Sequence, residues 1–215
     1  MEQIERLLDY EEPVCSYVIY DDFIEITKIT LNKFKTDEAL NYLMEKMKKI
    51  KLTENTNFLY YHIPTYITHL SIIDTDISPR TYIEYNNLHN GLLSLCIRTD
   101  EQFSKSLDNL PSTLETLIIL SSSNVISSLS YLPVSLKHLC IRSRNRCNLD
   151  NLPPNLETLF ITGYMFDVYI LDDLNNLPEN LKIFNCSKSC ISDTNKWIDI
   201  RKKISARYPN LTIII

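Results

Sequence analysis

Apolar residues recur along this chain in one phrase, Leu-Pro-x-x-Leu-x-x-Leu-x-Ile. It is clearest at Leu110–Ile119, Leu132–Ile141 and Leu152–Ile161, and looser at Leu177–Cys186. Upstream it reads Ile63–Ile72 and, with His89 in the place of the proline, Leu88–Ile97. Only its second half survives at Ile26–Leu31 and Met47–Leu52, and the chain closes with a variant at Tyr208–Ile213. The central apolar residues of these copies are Ile29, Ile50, Leu70, Leu95, Leu117, Leu139, Leu159, Phe184 and Leu211, spaced 21, 20, 25, 22, 22, 20, 25 and 27 residues apart. Side chains alternate faces along a strand, so Leu117 and Ile119 point one way and Ile118 the other. A single copy cannot bury its apolar face. Copies stacked as parallel strands can, in ladders of Leu and Ile about 4.8 Å apart. The proline precedes each strand, where its missing N–H costs no ladder bond.

A repeat of roughly 20–29 residues with this leucine pattern is the mark of a leucine-rich-repeat solenoid. The expected fold is therefore α/β, with parallel strands on a concave face, a mostly irregular convex side and helices near both ends. It is read as one domain over 1–215: an N-terminal cap over 1–25, repeats over 26–190, and a cap helix with an edge strand over 191–215. Residues 37–48 place Leu40, Leu43, Met44 and Met47 at helical spacing with Thr36 as N-cap. Residues 2–10 form a second candidate helix. Residues 193–207, with Trp197, Ile200 and Ile204, form a third, capped by Ser192 or Asp193. The residue after the first repeat leucine is Glu115, Lys137, Glu157 and Lys182 in four successive copies. In an in-register parallel stack this becomes a row of alternating charge.

The stretch Ile63-Pro64-Thr65-Tyr66-Ile67-Thr68-His69-Leu70-Ser71-Ile72 resembles the FNIP repeat, a leucine-rich-repeat variant of social amoebae and giant viruses whose usual phrase is Ile-Pro-x-Ser-Val-Thr-His-Leu-x-Phe-Gly-x-x-Phe-Asn. The resemblance covers roughly residues 60–190 and is specific in the strand half. The second half is mostly missing, its nearest approach being Ile161-Thr162-Gly163-Tyr164-Met165-Phe166-Asp167, with one residue inserted. The resemblance implies a solenoid and no catalytic residues.

Composition narrows the function. The chain has two glycines, Gly91 and Gly163, which argues against phosphate-cradling loops and against hairpins with two-residue primed turns. Its net charge of −5 gives no global pull toward nucleic acid or an anionic membrane. The apolar runs are far shorter than a membrane span, and Met1–Arg6 lacks the basic-then-apolar start of a signal peptide. The default location is the cytoplasm, host-cell cytoplasm if the protein is viral, with the six cysteines as free thiols.

Function is expected on the residues between the buried ones, which form three rows on the concave face. The first reads His69, Ser94, Thr116, His138, Thr158, Ile183. The second reads Ser71, Cys96, Ile118, Cys140, Phe160, Asn185. The third reads Ile73, Arg98, Leu120, Arg142, Thr162, Ser187. Cys96, Ile118, Cys140 and Phe160 make an apolar run flanked by Arg98 and Arg142, with Leu120 between the arginines and His138 beside Cys140. That composition suits protein docking. The rival expectation is a self-assembling structural protein, joined through this patch or through the apolar C-terminal edge strand. Catalysis is not expected: His138 and Cys140 stand about 6–7 Å apart along a strand with no carboxylate to orient the imidazole. No metal or cofactor is implied, since Cys186 and Cys190 lack a second pair of ligands. Cys96 and Cys140 lie two strands apart, too far for a disulfide. The basic run Arg142–Arg146 reads as a solvated turn, so nucleic acid is not the expected partner.

Overall fold

A computed structural model describes residues 15–29, 37–53, 63–74, 88–99, 107–121, 129, 131–143, 149, 151–162, 177–186 and 194–214. Within them lie strands β1 (Cys15–Ile19), β2 (Ile24–Ile29), β3 (Lys49–Thr53), β4 (His69–Asp74), β5 (Ser94–Thr99), β6 (Thr116–Ser121), β7 (His138–Arg142), β8 (Thr158–Thr162), β9 (Ile183–Cys186) and β10 (Thr212–Ile214). Helix α1 (Glu38–Met47) precedes β3, and helix α2 (Thr194–Arg207) precedes β10. The strands form one sheet in chain order, antiparallel between β1 and β2 and parallel from β2 to β10.

The Pro-x-x-Leu phrase is a turn. The amide of Leu114 donates to the Pro111 carbonyl at 3.0 Å, and the same bond joins Leu136 to Pro133, Leu156 to Pro153 and Leu181 to Pro178. Leu92 makes it to His89 at 3.2 Å, so histidine substitutes without loss of the turn. There the His89 Nδ1 accepts from the Gly91 amide at 3.0 Å, a local side-chain bond of the kind that supports turns. The residue before the turn leucine ties each turn to the one behind it. Ser135 donates to the Leu114 carbonyl, Asn155 to Val134 and Asn180 to Pro154, at 2.7, 3.0 and 3.0 Å.

Beyond the turn, the strands pair with their leucines aligned. Ile50, Leu70, Leu95, Leu117, Leu139, Leu159 and Phe184 form one buried ladder. Ile26, Leu52, Ile72, Ile97, Ile119, Ile141, Ile161 and Cys186 form the next. The turn leucines and the apolar residues before the prolines close the core from the side. Each fully buried aliphatic contributes about 1.5–3 kcal/mol of transfer free energy, so cohesion is distributed along the stack. This is a parallel leucine-rich-repeat solenoid with two helices, as the repeat predicts.

The structure corrects the two end registers. Ile24, not Ile29, pairs with Ile50, and Ile213, not Leu211, pairs with Phe184. In both places apolar residues two or five apart compete for the same ladder, and the pattern alone does not choose. A hairpin also stands at the start: β1 folds back on β2 through Asp21-Asp22, closed by the Tyr20 amide on the Phe23 carbonyl at 2.9 Å. Neither aspartate has a positive φ, so the turn needs no glycine and is not of the primed type.

Helix α1 is capped by Asp37, not Thr36. Its carboxylate accepts from the Leu40 amide at 2.9 Å, and its extended backbone (φ −77°, ψ 97°) suits the cap position. Leu40 and Met44 are buried against the sheet. Lys48 ends the helix in the left-handed region, with φ 56°. Helix α2 buries Ile204 and leaves Ile198 exposed. The candidate helix over 2–10, the caps Ser192 and Asp193, and the Arg144–Arg146 turn lie outside the described residues.

Candidate functional site: the open face of the sheet

The face opposite the core carries the three expected rows in register. Cys96, Ile118, Cys140 and Phe160 stand side by side on β5–β8, and Arg98, Leu120 and Arg142 form the row beyond them. Ser187 lies outside the described residues. Arg98, His138 and Arg142 are exposed, whereas Cys96, Ile118, Leu120, Cys140 and Phe160 are half-buried. Strand neighbours shield one another, so the stripe presents an apolar band beside a row that carries two projecting arginines.

Cys96 and Cys140 are the thiols of this stripe. Burial pushes both thiols up. A hydrogen bond from Ser71 and the charge of Arg98 offset this in part at Cys96, and Cys96, two strands away, adds to it at Cys140. Both therefore stay protonated at neutral pH, the form that neither attacks a carbonyl nor ligates a metal. His138 does not turn toward Cys140. Its Nδ1 lies 2.9 Å from Thr158 Oγ1 across the strand pair. His69, on β4 two strands from β6, is tied locally by Thr68 Oγ1 to Nδ1 at 2.8 Å, and burial and then Lys49 hold its pKa down. Among the described residues no three His, Cys, Asp or Glu side chains converge as metal ligands, and no helix is long and apolar enough to cross a membrane.

Two features border this face. At the strand starts, Lys137 pairs with Glu115 at 2.8 Å and Lys182 with Glu157 at 2.7 Å, the alternating row expected from the sequence. With Ser135, Asn155 and Asn180 these side chains line a groove of about 370 Å³. At the N-terminal end, sequence reasoning missed a second recess of about 250 Å³ between the hairpin turn and strands β3–β5. The turn brings Asp22 within 3.4 Å of Lys49, and β2 brings Glu25 within 2.9 Å of Lys51. Phe23 closes the recess, with the Tyr20 ring stacked on it at 4.4 Å. The signal was available in Glu25 and Lys51, which fall in one row once Ile24 is aligned with Ile50.

Strand order, ladder register and open face together define a leucine-rich-repeat solenoid, an architecture that is typically non-catalytic. Among solved structures the chain is similar to a circular leucine-rich-repeat protein of a giant virus, CroV588, at 20% identity and a TM-score of 0.45. The match covers 79% of this chain and 28% of that one. The fold assignment stands on the ladders above and not on this likeness. No protein-family model matches the sequence, and no curated protein does.

Proposed function

We infer that the chain is a non-catalytic interaction module, a scaffold of the FNIP type, that docks a protein on its open face, which we read as the concave one. One observation carries this reading: the half-buried apolar stripe Cys96–Ile118–Cys140–Phe160 lies in register between polar rows and beside two exposed arginines. An apolar centre with an arginine rim is the anatomy of protein interfaces. The contact residues of this reading are Cys96, Arg98, Ile118, Leu120, His138, Cys140, Arg142 and Phe160. The free thiols of Cys96 and Cys140 support a reducing compartment, which we take to be the cytoplasm, of an infected cell if the protein is viral. The test is affinity capture from the native cell type with the wild type and with a Phe160→Asp, Arg142→Glu double variant of matched stability. Loss of specific proteins from the variant supports the reading, and an unchanged set overturns it.

A second reading, self-assembly, is favoured by the sheet's ends. β10 is the last strand and Ile214 is 42% exposed; Val18 on β1 is 49% exposed. Light scattering across a concentration series separates the two, since a monomer at high concentration removes self-assembly and leaves docking untouched.

A further inference from the structure

The chemistry of the open face narrows the partner. The chain carries 27 acidic side chains against 22 lysines and arginines. Yet from β4 to β8 the three open-face rows hold no carboxylate. The two strong cations there, Arg98 and Arg142, occupy one row on β5 and β7 with Leu120 between them. Both are exposed, and among the described residues neither meets an acid. The nearby carboxylates of Glu115 and Glu157, at the strand starts, are already paired with lysines. From β4 to β8, the described rows of this face are thus free of the acidic protein's own carboxylates, the nearest in the same row being Glu25 on β2, which is paired with Lys51.

Spacing adds to charge. Residues two strands apart in a sheet stand about 9.6 Å from each other. In an extended strand, side chains on one face repeat at about 6.8 Å, and one turn of α-helix advances about 5.4 Å. A polyproline II segment has three residues per turn and rises about 3.1 Å per residue, so it repeats a face every ~9.3 Å. A nucleic-acid strand carries a charge every ~3.4 Å of axis, so every third phosphate, at ~10.2 Å, also falls near this spacing, but its sugar–phosphate backbone does not match the apolar residue between the arginines. The intervening Leu120 and the adjoining Ile118 and Phe160 are apolar, as proline rings require.

We propose that this face takes an acidic, proline-rich segment of a partner protein, laid across the strands as a polyproline II helix, with carboxylates three residues apart on Arg98 and Arg142. The proposal rests on the docking reading above and specifies its partner. Arginine is suited to the task because its planar fork binds a carboxylate through two parallel hydrogen bonds.

The test is fluorescence anisotropy of labelled proline-rich nonapeptides at low ionic strength. One carries glutamates three residues apart, one carries glutamines at the same positions, and one carries glutamates two apart. Saturable binding of the first, weakened by about tenfold or more in the second and in the Arg98→Glu and Arg142→Glu proteins and measurably weakened in the third, is expected, and equal binding of the first and third would overturn the three-residue register. Arg98→Lys and Arg142→Lys should retain intermediate affinity. Both reversals are at exposed positions, and circular dichroism verifies their fold. Equal binding of the glutamate and glutamine peptides, absence of saturable binding to the wild type, or full displacement by a single-stranded oligonucleotide would each overturn the proposal. Its failure is separable from that of the docking reading. If captured partners are lost on Phe160→Asp but kept by both arginine reversals, docking stands and the acidic segment is wrong. If Phe160→Asp keeps them too, docking itself falls.

Discussion

Lys137 reaches back one strand to set its Nζ 2.8 Å from Glu115 Oε1, and the next pair along the same row, Lys182 and Glu157, repeats the contact at 2.7 Å. The row is solvent-facing, and its charges alternate because the repeats stack without slipping. The Glu115 partner holds the Lys137 ammonium above its ordinary pKa, with Glu157 adding to the effect. Lys182 in turn holds the Glu157 carboxyl below its own. Replacing Lys137 by Glu places three carboxylates in a line. The denaturation midpoint is expected to fall at low salt and to recover most of the difference at high salt, because exposed charges are screened. A deficit that does not change with salt would show that the row is not an electrostatic ladder.

The two faces of β6 predict opposite sensitivities. Leu117 and Ile119 are fully buried, whereas Ile118 between them is half-exposed. Leu117→Ala is expected to cost about 2–5 kcal/mol in urea unfolding. Ile118→Ala should cost less than about 1 kcal/mol. A reversed order would mean that the strand is turned over, which a slip of one residue accomplishes.

Gly91 is held by space and not by a left-handed backbone. A Cβ there would lie 2.8 Å from the Thr65 carbonyl oxygen, an atom fixed in the preceding turn, and 3.0 Å from His89 Nδ1. Gly91→Ala is therefore expected to destabilise the protein by about 1–3 kcal/mol through forced backbone displacement, read as a drop in thermal midpoint. A neutral substitution would show that adjacent turns are farther apart than described.

Glu25 supplies a pH dependence of known sign. The hydrogen bond from Lys51 holds its carboxyl below the ordinary value of 4.5, against the opposing effect of burial and with help from the Tyr20 hydroxyl. A depressed folded pKa stabilises the protein fully above the unfolded value and is lost as pH falls through the folded one. Stability should thus decline below about pH 4.5 by an amount on the order of 1 kcal/mol from this pair. Glu25→Gln should remove that part of the slope. An unchanged slope between pH 5 and 3 would assign acid sensitivity elsewhere.

Much of this was legible in the chain because the leucine phrase fixes both period and face. Once Leu117 and Ile119 point inward, Ile118 must point outward, and the same holds for Cys140 and Phe160; the three rows follow. The ends were not legible for a physical reason. In Ile24–Ile29 and Leu211–Ile213 several apolar residues satisfy the strand pattern equally, and only pairing with Ile50 or Phe184 chooses among them. The β1–β2 hairpin escaped because its Asp21-Asp22 turn lacks the glycine that usually announces one. The cap moved from Thr36 to Asp37 because two good capping residues are adjacent in sequence, and backbone geometry decides between them. Thr99, Ser121 and Ser143, two positions beyond Ile97, Ile119 and Ile141, keep the repeat's inward register and are buried, which their polar side chains alone do not announce.

The claim that the open face is the docking surface is tested most directly by hydroxyl-radical footprinting of the protein with a captured partner bound. Sulfur and aromatic side chains react readily, so the site supplies its own probes. The account predicts that oxidation of Cys96, Cys140 and Phe160 falls in the complex, while Tyr42 and Tyr131, which are 61% and 67% exposed, react as in the free protein. Protection of Tyr42 or Tyr131 with Cys96, Cys140 and Phe160 unchanged would contradict it.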